Sequence, residues 1–408
     1  MTLAPLALLL AACTYHPEPS LQMEEGVRVL RLVGTPYEMG QQHGELMRED
    51  LLAGAEWIDE SGMGALVGLA DYYGLLDEAR ANSFPSVVEE CQGLVDGVGD
   101  EEAWTLDKCL ILAYGDPILE SLSHQLPGCS QFVAKGSATA DGGVVHGRNL
   151  DWDEVSYMIE RPTVIVRHPE GGIPWVAWGF PGNISPYSGM NAEGLVVASN
   201  EANGVTAPDG AGRAHTQMSR ELLMTVETVA DADAFLFAQD HVSAETLVIS
   251  DATGDAGVFE MAVDGMARRS MANDVVWATN HFVDPVTAPL HVEVTEEDNT
   301  VSRFMRLEQL LTEGDLRGRI DLQTTIHEVL RDTTNPVTGV THPADLFDGG
   351  GTLANNGAIH SLVFLPQERL LYGAVGGIPV PQNAFIGFDV AALVSGAGPS
   401  RAPLPVVE

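Results

Sequence analysis

Positive charge is scarce in this chain. Twenty Lys and Arg face 58 Asp and Glu over 408 residues, a net charge of -38, and the only lysines are Lys108 and Lys135. A surface of that sign repels phosphate backbones and anionic headgroups, so nucleic-acid binding and electrostatic membrane attachment are not expected. Against that background an arginine beside a reactive group stands out as an anion or carboxylate binder. Long apolar runs are absent too. The longest, near the N-terminus, holds about ten residues, too few to span a bilayer. Cysteine is sparse: Cys13, Cys91, Cys109 and Cys129. There is no His-Glu-x-x-His, no Cys-x-x-Cys and no phosphate-cradling glycine loop, so neither metal nor cofactor is expected. Gly349-Gly350-Gly351, followed by "TLANNG", lacks the Lys-Ser/Thr of a phosphate loop and reads as a mobile loop near a pocket mouth.

What is present is globular in composition, with 45% hydrophobic residues. The segment Leu10-Ala11-Ala12-Cys13 resembles a bacterial lipobox. The resemblance implies that residues 1–13 form a lipoprotein signal peptide with Cys13 lipidated. Thr14 after it implies outer-membrane retention at the cell envelope, facing the periplasm or the surface. Plain secretion and a cytoplasmic chain are the alternatives. The lipid would be the membrane contact. Residues 14–27 read as a polar tether and 396–408 as a flexible tail. In an oxidising compartment Cys91 and Cys109 are able to pair, and two buried free thiols are an equal alternative.

Between these ends the texture changes once. "VRVLRLVG" reads as a strand. Thr35, Pro36 and Glu38 then fit the N-cap, N1 and N3 positions of a capping box that opens a long helix. Residues 71–125 read as mostly helical. From Cys129 short β-rich runs dominate: "SQFVAK", "GGVVHGRN", "TVIVRH", "WVAWGF", "GLVVASN", "TLVISD", "GVFEMAVDG" and "DVVWATN". Helices fit near 216–238, 301–314 and 321–332, and "IHSLVFLP" with "LLYGAVGG" closes the chain as two strands. The pattern indicates an α+β fold with largely antiparallel pairing in one large domain.

The chemistry centres on Cys129. Gly128 before it leaves the peptide bond unhindered, and Ser130 after it is small. If "SQFVAK" and "GGVVHGRN" pair as a hairpin, Arg148 and Asp151 return to Cys129. An arginine there favours thiolate. Two bases are conceivable. One is a nearby histidine, His124 or His146. The other is the α-amino group that Cys129 would gain if the Gly128–Cys129 bond were cut, with a reference pKa of roughly 7.7 to 8.0.

"GCSQFVAKGSATADGGVVHGRNLDW" resembles the N-terminal-nucleophile hydrolases with a Cys nucleophile, and most closely the acyl-coenzyme A:6-aminopenicillanate acyltransferase-like group. "HGRNLD" is similar also to acid ceramidase and N-acylethanolamine amidase. "GTPYEMGQQHG", "GMNAEGLVVASN" and "ATNHF" resemble further stretches of the group, and "SRFMRLEQLL" resembles a stretch of the related choloylglycine hydrolases. The resemblance implies a four-layer αββα sandwich. It implies self-cleavage between Gly128 and Cys129, giving a helical pro-segment or α chain (28–128) and a catalytic β chain (129–395) that stay associated. It implies Cys129 as nucleophile, Arg148 and Asp151 around its amine and thiol, Asn200 and Asn280 as oxyanion donors, and Arg303, with Arg306 one turn on as the competing choice. Asn149, Trp152 and Glu201 are candidate pocket residues. The implied reaction is hydrolysis of, or acyl transfer from, a small-molecule amide through an acyl-Cys enzyme, with hydrolysis favoured. A lipid-anchored binding protein that keeps the fold, or an esterase or lipase using the same Cys, are the alternatives.

Overall fold

The computed structural model describes residues 17–114, 128–152, 156–202, 204, 207, 211–295, 297–344, 351–396 and 400. The signal segment with Cys13, the base candidate His124 and most of the C-terminal tail lie outside the described residues.

Seventeen strands are described. In chain order they are β1 (Ser20–Glu24), β2 (Val27–Gly34), β3 (Cys129–Ala134), β4 (Val145–Asp151), β5 (Thr163–Pro169), β6 (Trp175–Gly179), β7 (Ser188–Asn191), β8 (Val196–Glu201), β9 (Glu245–Ser250), β10 (Ala256–Ala262), β11 (Gly265–Ser270), β12 (Val275–Ala278), β13 (Thr334–Asn335), β14 (Val340–Thr341), β15 (Ala358–Leu365), β16 (Leu370–Ala374) and β17 (Phe385–Asp389). Nine form one sheet in the order β1-β2-β5-β6-β7-β8-β9-β10-β11, and six form a second in the order β12-β3-β4-β15-β16-β17. Pairing is antiparallel except for β2 with β5. That parallel step needs a long crossover, and the helical segment after β2 supplies part of it.

The two sheets pack face to face. Val164, Val166, Val176 and Trp178 of the larger sheet meet Leu362, Phe364, Leu371 and Phe388 of the smaller one. Val133 and Val276 meet Val248 and Val258 at the other end. Gly373 lets the layers close: a Cβ there would lie 2.4 Å from the Trp178 ring. Helices Pro36–Leu46, Arg48–Glu60, Gly62–Tyr72, Leu75–Asn82, Pro85–Val98 and Leu106–Tyr114 are α1 to α6, and Ser156–Ile159 is α7. α8 (His215–Thr225) and α9 (Val229–Leu236) cover the outer face of the larger sheet through Met218, Leu222, Val229 and Leu236. α10 (Asn299–Glu308) and the stretch 322–330 cover the smaller sheet, with Leu307, Ile326, Val329 and Leu330 in the same core as Phe132 and Val363. The result is the expected αββα sandwich.

Local sequence explains the helical segment. Thr35 and Glu38 make the capping box reciprocally, the Thr35 hydroxyl accepting from the Glu38 amide at 3.3 Å and the Glu38 carboxylate from the Thr35 amide at 2.8 Å. Gly40 of α1 and Gly93 of α5 let the helices touch backbone to backbone: a Cβ at either would lie 2.0 or 2.1 Å from the facing carbonyl oxygen. Cys91 and Cys109 form a disulfide that ties α5 to α6, with Cα atoms 5.7 Å apart.

Three sequence expectations need correction. The tether assigned to 14–27 includes β1, which pairs with β2 from Ser20↔Arg31 to Glu24↔Val27 and so closes the edge of the larger sheet. The long helix from Pro36 breaks at Met47 into α1 and α2. The chain does not close on two strands, because β17 and α11 (Val390–Ser395) follow, started by the Asp389 cap on the Ala392 amide. β11 carries no apolar alternation in "GMARRS", so period-2 reasoning passes over it.

Candidate active site

Cys129 is the first residue of β3, and β3 pairs with β4 as the expected hairpin, Cys129 opposite Leu150 and Gln131 opposite Arg148. Alternation along β4 then sorts its side chains. His146 and Arg148 share one face, between the sheets, and Asn149 points the other way. There its amide donates to the Leu330 and Leu353 carbonyls and accepts from Ser361, so Asn149 braces the outer layer and does not line a pocket.

Arg148 is fully buried. One of its nitrogens donates to the Tyr187 carbonyl at 2.6 Å and to the Ser188 hydroxyl; the other donates to the Ser199 carbonyl and lies 3.8 Å from the Cys129 sulfur. The larger sheet therefore holds the cation that faces the thiol. Burial nevertheless dominates. It pushes the Cys129 thiol up, Arg148 pulls it back and the Asp151 charge adds to the rise. Arg148 thus lowers the thiol pKa as expected, but in the uncut chain desolvation outweighs it and the thiol is neutral.

Arg303, also fully buried, lies on the other side. Its guanidinium donates to the Cys129 carbonyl, to the Ser130 hydroxyl at 2.9 Å, and to Asn280 and Asn299 at 2.9 and 3.1 Å. It packs so closely on Gly128 that a Cβ there would meet its terminal nitrogen at 2.0 Å. Arg306 instead pairs with Asp332 at 2.6 Å near the surface. One turn of α10 separates the two, and only Arg303 turns inward.

Asn280 accepts the Cys129 backbone N–H at 2.6 Å and donates to the Glu201 carbonyl at 2.7 Å. Its own backbone is fixed by Thr300, whose hydroxyl accepts its amide at 2.8 Å, and by His291 on its carbonyl at 3.2 Å. Asn200 lies deeper. Its amide nitrogen donates to the Thr279 carbonyl at 3.1 Å, and Gln131 donates to its oxygen at 2.8 Å. Asn200 thus supports the turn that carries Asn280.

Asp151 ends β4. Its backbone N–H faces the Cys129 sulfur, and burial pushes its carboxyl up to about 6, against the pull of Arg303, Asn355 and Arg148. Asn355 donates to one carboxylate oxygen at 2.8 Å. The other, Oδ1, is buried with no hydrogen-bond partner among the described residues. Trp152, beside it, stacks edge-on against Tyr187.

His146, the remaining external-base candidate, does not reach the thiol. It bonds Ser250 and Gln131, and burial pushes it down to about 3. Sequence reasoning missed Asn355 and the residues that hold Arg148. Of the glycine run expected to be mobile, Gly349 and Gly350 lie outside the described residues; Gly351 and the stretch after it are largely buried, and Thr352, Leu353, Ala354 and Asn355 expose at most 2%. The only available signal was the pair of Asn in "ANNG", which turns also favour. Among the described residues no cluster suits a metal ion.

Residues 138–377, more than half of the chain, match the family model of acyl-coenzyme A:6-aminopenicillanic acid acyl-transferase. An uncharacterized protein of Archaeoglobus fulgidus is 24% identical over 315 residues, covering 64% of this chain and 51% of its own. The chain thus spans about half the length of that curated relative. Among solved structures, a Caenorhabditis elegans N-acylethanolamine-hydrolyzing acid amidase ortholog superposes with a TM-score of 0.41 at 19% identity, over 59% of this chain and 93% of that one. Penicillin V acylase from Agrobacterium tumefaciens gives 0.38 at 14% identity, over 64% and 91%.

Proposed function

The chain belongs to the acyl-coenzyme A:6-aminopenicillanic acid acyl-transferase family, and from that membership we propose that it is a self-cleaving Cys amidohydrolase or acyltransferase with Cys129 as its N-terminal nucleophile. The observation that carries the reading is the orphaned Asp151 Oδ1 beside a Cys129 whose single amide N–H is already given to Asn280. A buried acceptor without a donor is costly. Cleavage before Cys129 creates an amine with additional N–H groups in that place, and Asp151 accepts one of them.

Maturation proceeds in two balanced steps. The Cys129 sulfur attacks the Gly128 carbonyl carbon, the C–N bond breaks, and the acyl group moves to sulfur while nitrogen takes the thiol proton. Water then hydrolyses the thioester, leaving a carboxylate on Gly128 and a free thiol and α-amine on Cys129. Arg303, packed on Gly128, offers positive charge to the carbonyl oxygen as the tetrahedral intermediate forms.

In the mature enzyme the α-amine, with a reference pKa of roughly 7.7 to 8.0, takes the thiol proton. The thiolate attacks the substrate amide, the departing amine carries the proton away, and an acyl-Cys enzyme remains. Water releases the acid; an acceptor amine in its place gives transfer. Hydrolysis is favoured because the Cys91–Cys109 disulfide suits an oxidising compartment, outside the cytosol, where activated acyl donors are scarce. The same disulfide supports the reading of residues 1–13 as a leader with a lipid on Cys13. Among the described residues no helix is long and apolar enough to cross a membrane.

The test is the intact mass of protein lacking residues 1–13, beside Cys129→Ala. Two fragments meeting at Gly128/Cys129, with the variant uncut, are expected. The cut protein is then assayed with penicillin V, an N-acylethanolamine and an N-acyl amino acid. A single uncut chain from both genes would refute the mechanism.

A further inference from the structure

Asp151 is held by a segment far from it in sequence. Asn355 gives one amide proton to Asp151 Oδ2 at 2.8 Å and directs the same nitrogen to the Thr352 carbonyl at 3.3 Å. Its oxygen accepts the Gly357 amide at 2.8 Å, and the Gly357 carbonyl accepts the Trp152 amide at 2.6 Å. The segment from Gly351 to Gly357 thus grips Asp151 by its side chain and the next residue by its backbone. It is anchored in turn. Ser302 of α10 donates to the Gly351 carbonyl at 2.7 Å, and the Ala354 amide donates to the Asp332 carbonyl at 2.8 Å.

This grip decides which way the carboxyl turns. With Oδ2 fixed on Asn355, the partnerless Oδ1 is the oxygen left for Cys129. Among the described residues, the charged and titratable groups around Asp151 are the Cys129 thiol from β3, Arg148 from its own strand and Arg303 from α10. Neither arginine hydrogen-bonds the carboxylate: Arg148 donates to the Tyr187 and Ser199 carbonyls and the Ser188 hydroxyl, and Arg303 to the Cys129 carbonyl, Ser130, Asn280 and Asn299. Asn355 is therefore the direct side-chain donor that favours the ionised form.

We propose that Asn355 is a positioning residue that keeps Asp151 ionised and turned so that Oδ1 faces the Cys129 amine. The proposal rests on the reading of Cys129 as an N-terminal nucleophile. Asn355→Asp is the informative variant, because it keeps the oxygen that accepts from Gly357 and removes the donor to Asp151. Asn355→Ala serves where the added charge prevents folding.

The assay needs no substrate. Protein lacking residues 1–13 has Cys129 as its one thiol outside the disulfide. Its alkylation by iodoacetamide is followed by intact mass from pH 4.5 to 9. For the cut wild type an inflection near pH 6 is expected, absent in Asp151→Asn. In Asn355→Asp and Asn355→Ala that inflection moves up by about one pH unit, the tenfold that a hydrogen bond to an ionised group is worth. A cut wild type whose inflection stays put in both variants overturns the proposal alone. A wild type that stays uncut and shows no inflection overturns the nucleophile reading and the proposal with it.

Discussion

Gly128→Ala tests the cleavage geometry with a single added methyl group. Its Cβ would lie 2.0 Å from the Arg303 terminal nitrogen, 2.5 Å from its central carbon and 3.1 Å from Nε, where ordinary contact begins at 3.4 Å. The shortfall at the first atom is therefore about 1.4 Å. Arg303 cannot yield cheaply, because it is fully buried and bound to Cys129, Ser130, Asn280 and Asn299. Gly128 must move instead, and with it the carbonyl carbon that the sulfur attacks. Overpacking of this kind costs about 1–3 kcal/mol in stability. Misplacing a reacting atom by about 1 Å costs on the order of 100-fold in rate. Maturation should thus slow about 100-fold while the melting temperature falls by only a few degrees. The assay is a time course of fragment appearance by intact mass, with a melting curve on the same sample. Gly128→Ala maturing at the wild-type rate would sink the argument, since Arg303 would then not be fixed against the scissile bond.

Two other perturbations are calculable. Glu90 of α5 bonds Arg167 at 3.0 Å and Arg220 at 2.8 Å, and all three are fully buried. Glu90→Gln leaves the buried Arg167 without a charged partner among the described residues, while Arg220 keeps Glu221 at 2.7 Å, at a cost of about 3–5 kcal/mol. Glu90 lies before the cleavage point and both arginines after it, so the fragments of the cut variant should separate in mild urea on size exclusion; co-elution like the wild type would contradict this. Burial also pushes His43, His146 and His360 down to about 3. Each must protonate on unfolding below its ordinary value, so stability is full above pH 6.5 and drains as pH falls toward 3. Together they cost up to about 4 kcal/mol per pH unit, and the raised Asp151, which favours the folded state below pH 6, offsets roughly a third. Denaturation midpoints that stay flat between pH 7 and pH 4.5 would contradict this account.

Much of this protein is determined by local sequence. The capping box at Thr35, the hairpin that returns Arg148 and Asp151 to Cys129, and most strands of the two sheets follow from periodicity and turn chemistry, which act over a few residues; β1, β11 and β17 do not. The hairpin register alone sets Gln131 opposite Arg148, and so identifies the centre of the site. Tertiary structure decided the rest, because the deciding contacts join residues far apart. Arg303 rather than Arg306 faces Cys129 because one side of α10 packs on β3, 174 residues away in sequence. Asn200 supports a turn because the opposite sheet presents carbonyls to it. Asn355, in a stretch that looks like an ordinary loop, reaches Asp151 across 204 residues. The charge state of Cys129 depends on how completely the surrounding layers exclude water, and burial is a property of the assembled fold that no local stretch of residues encodes.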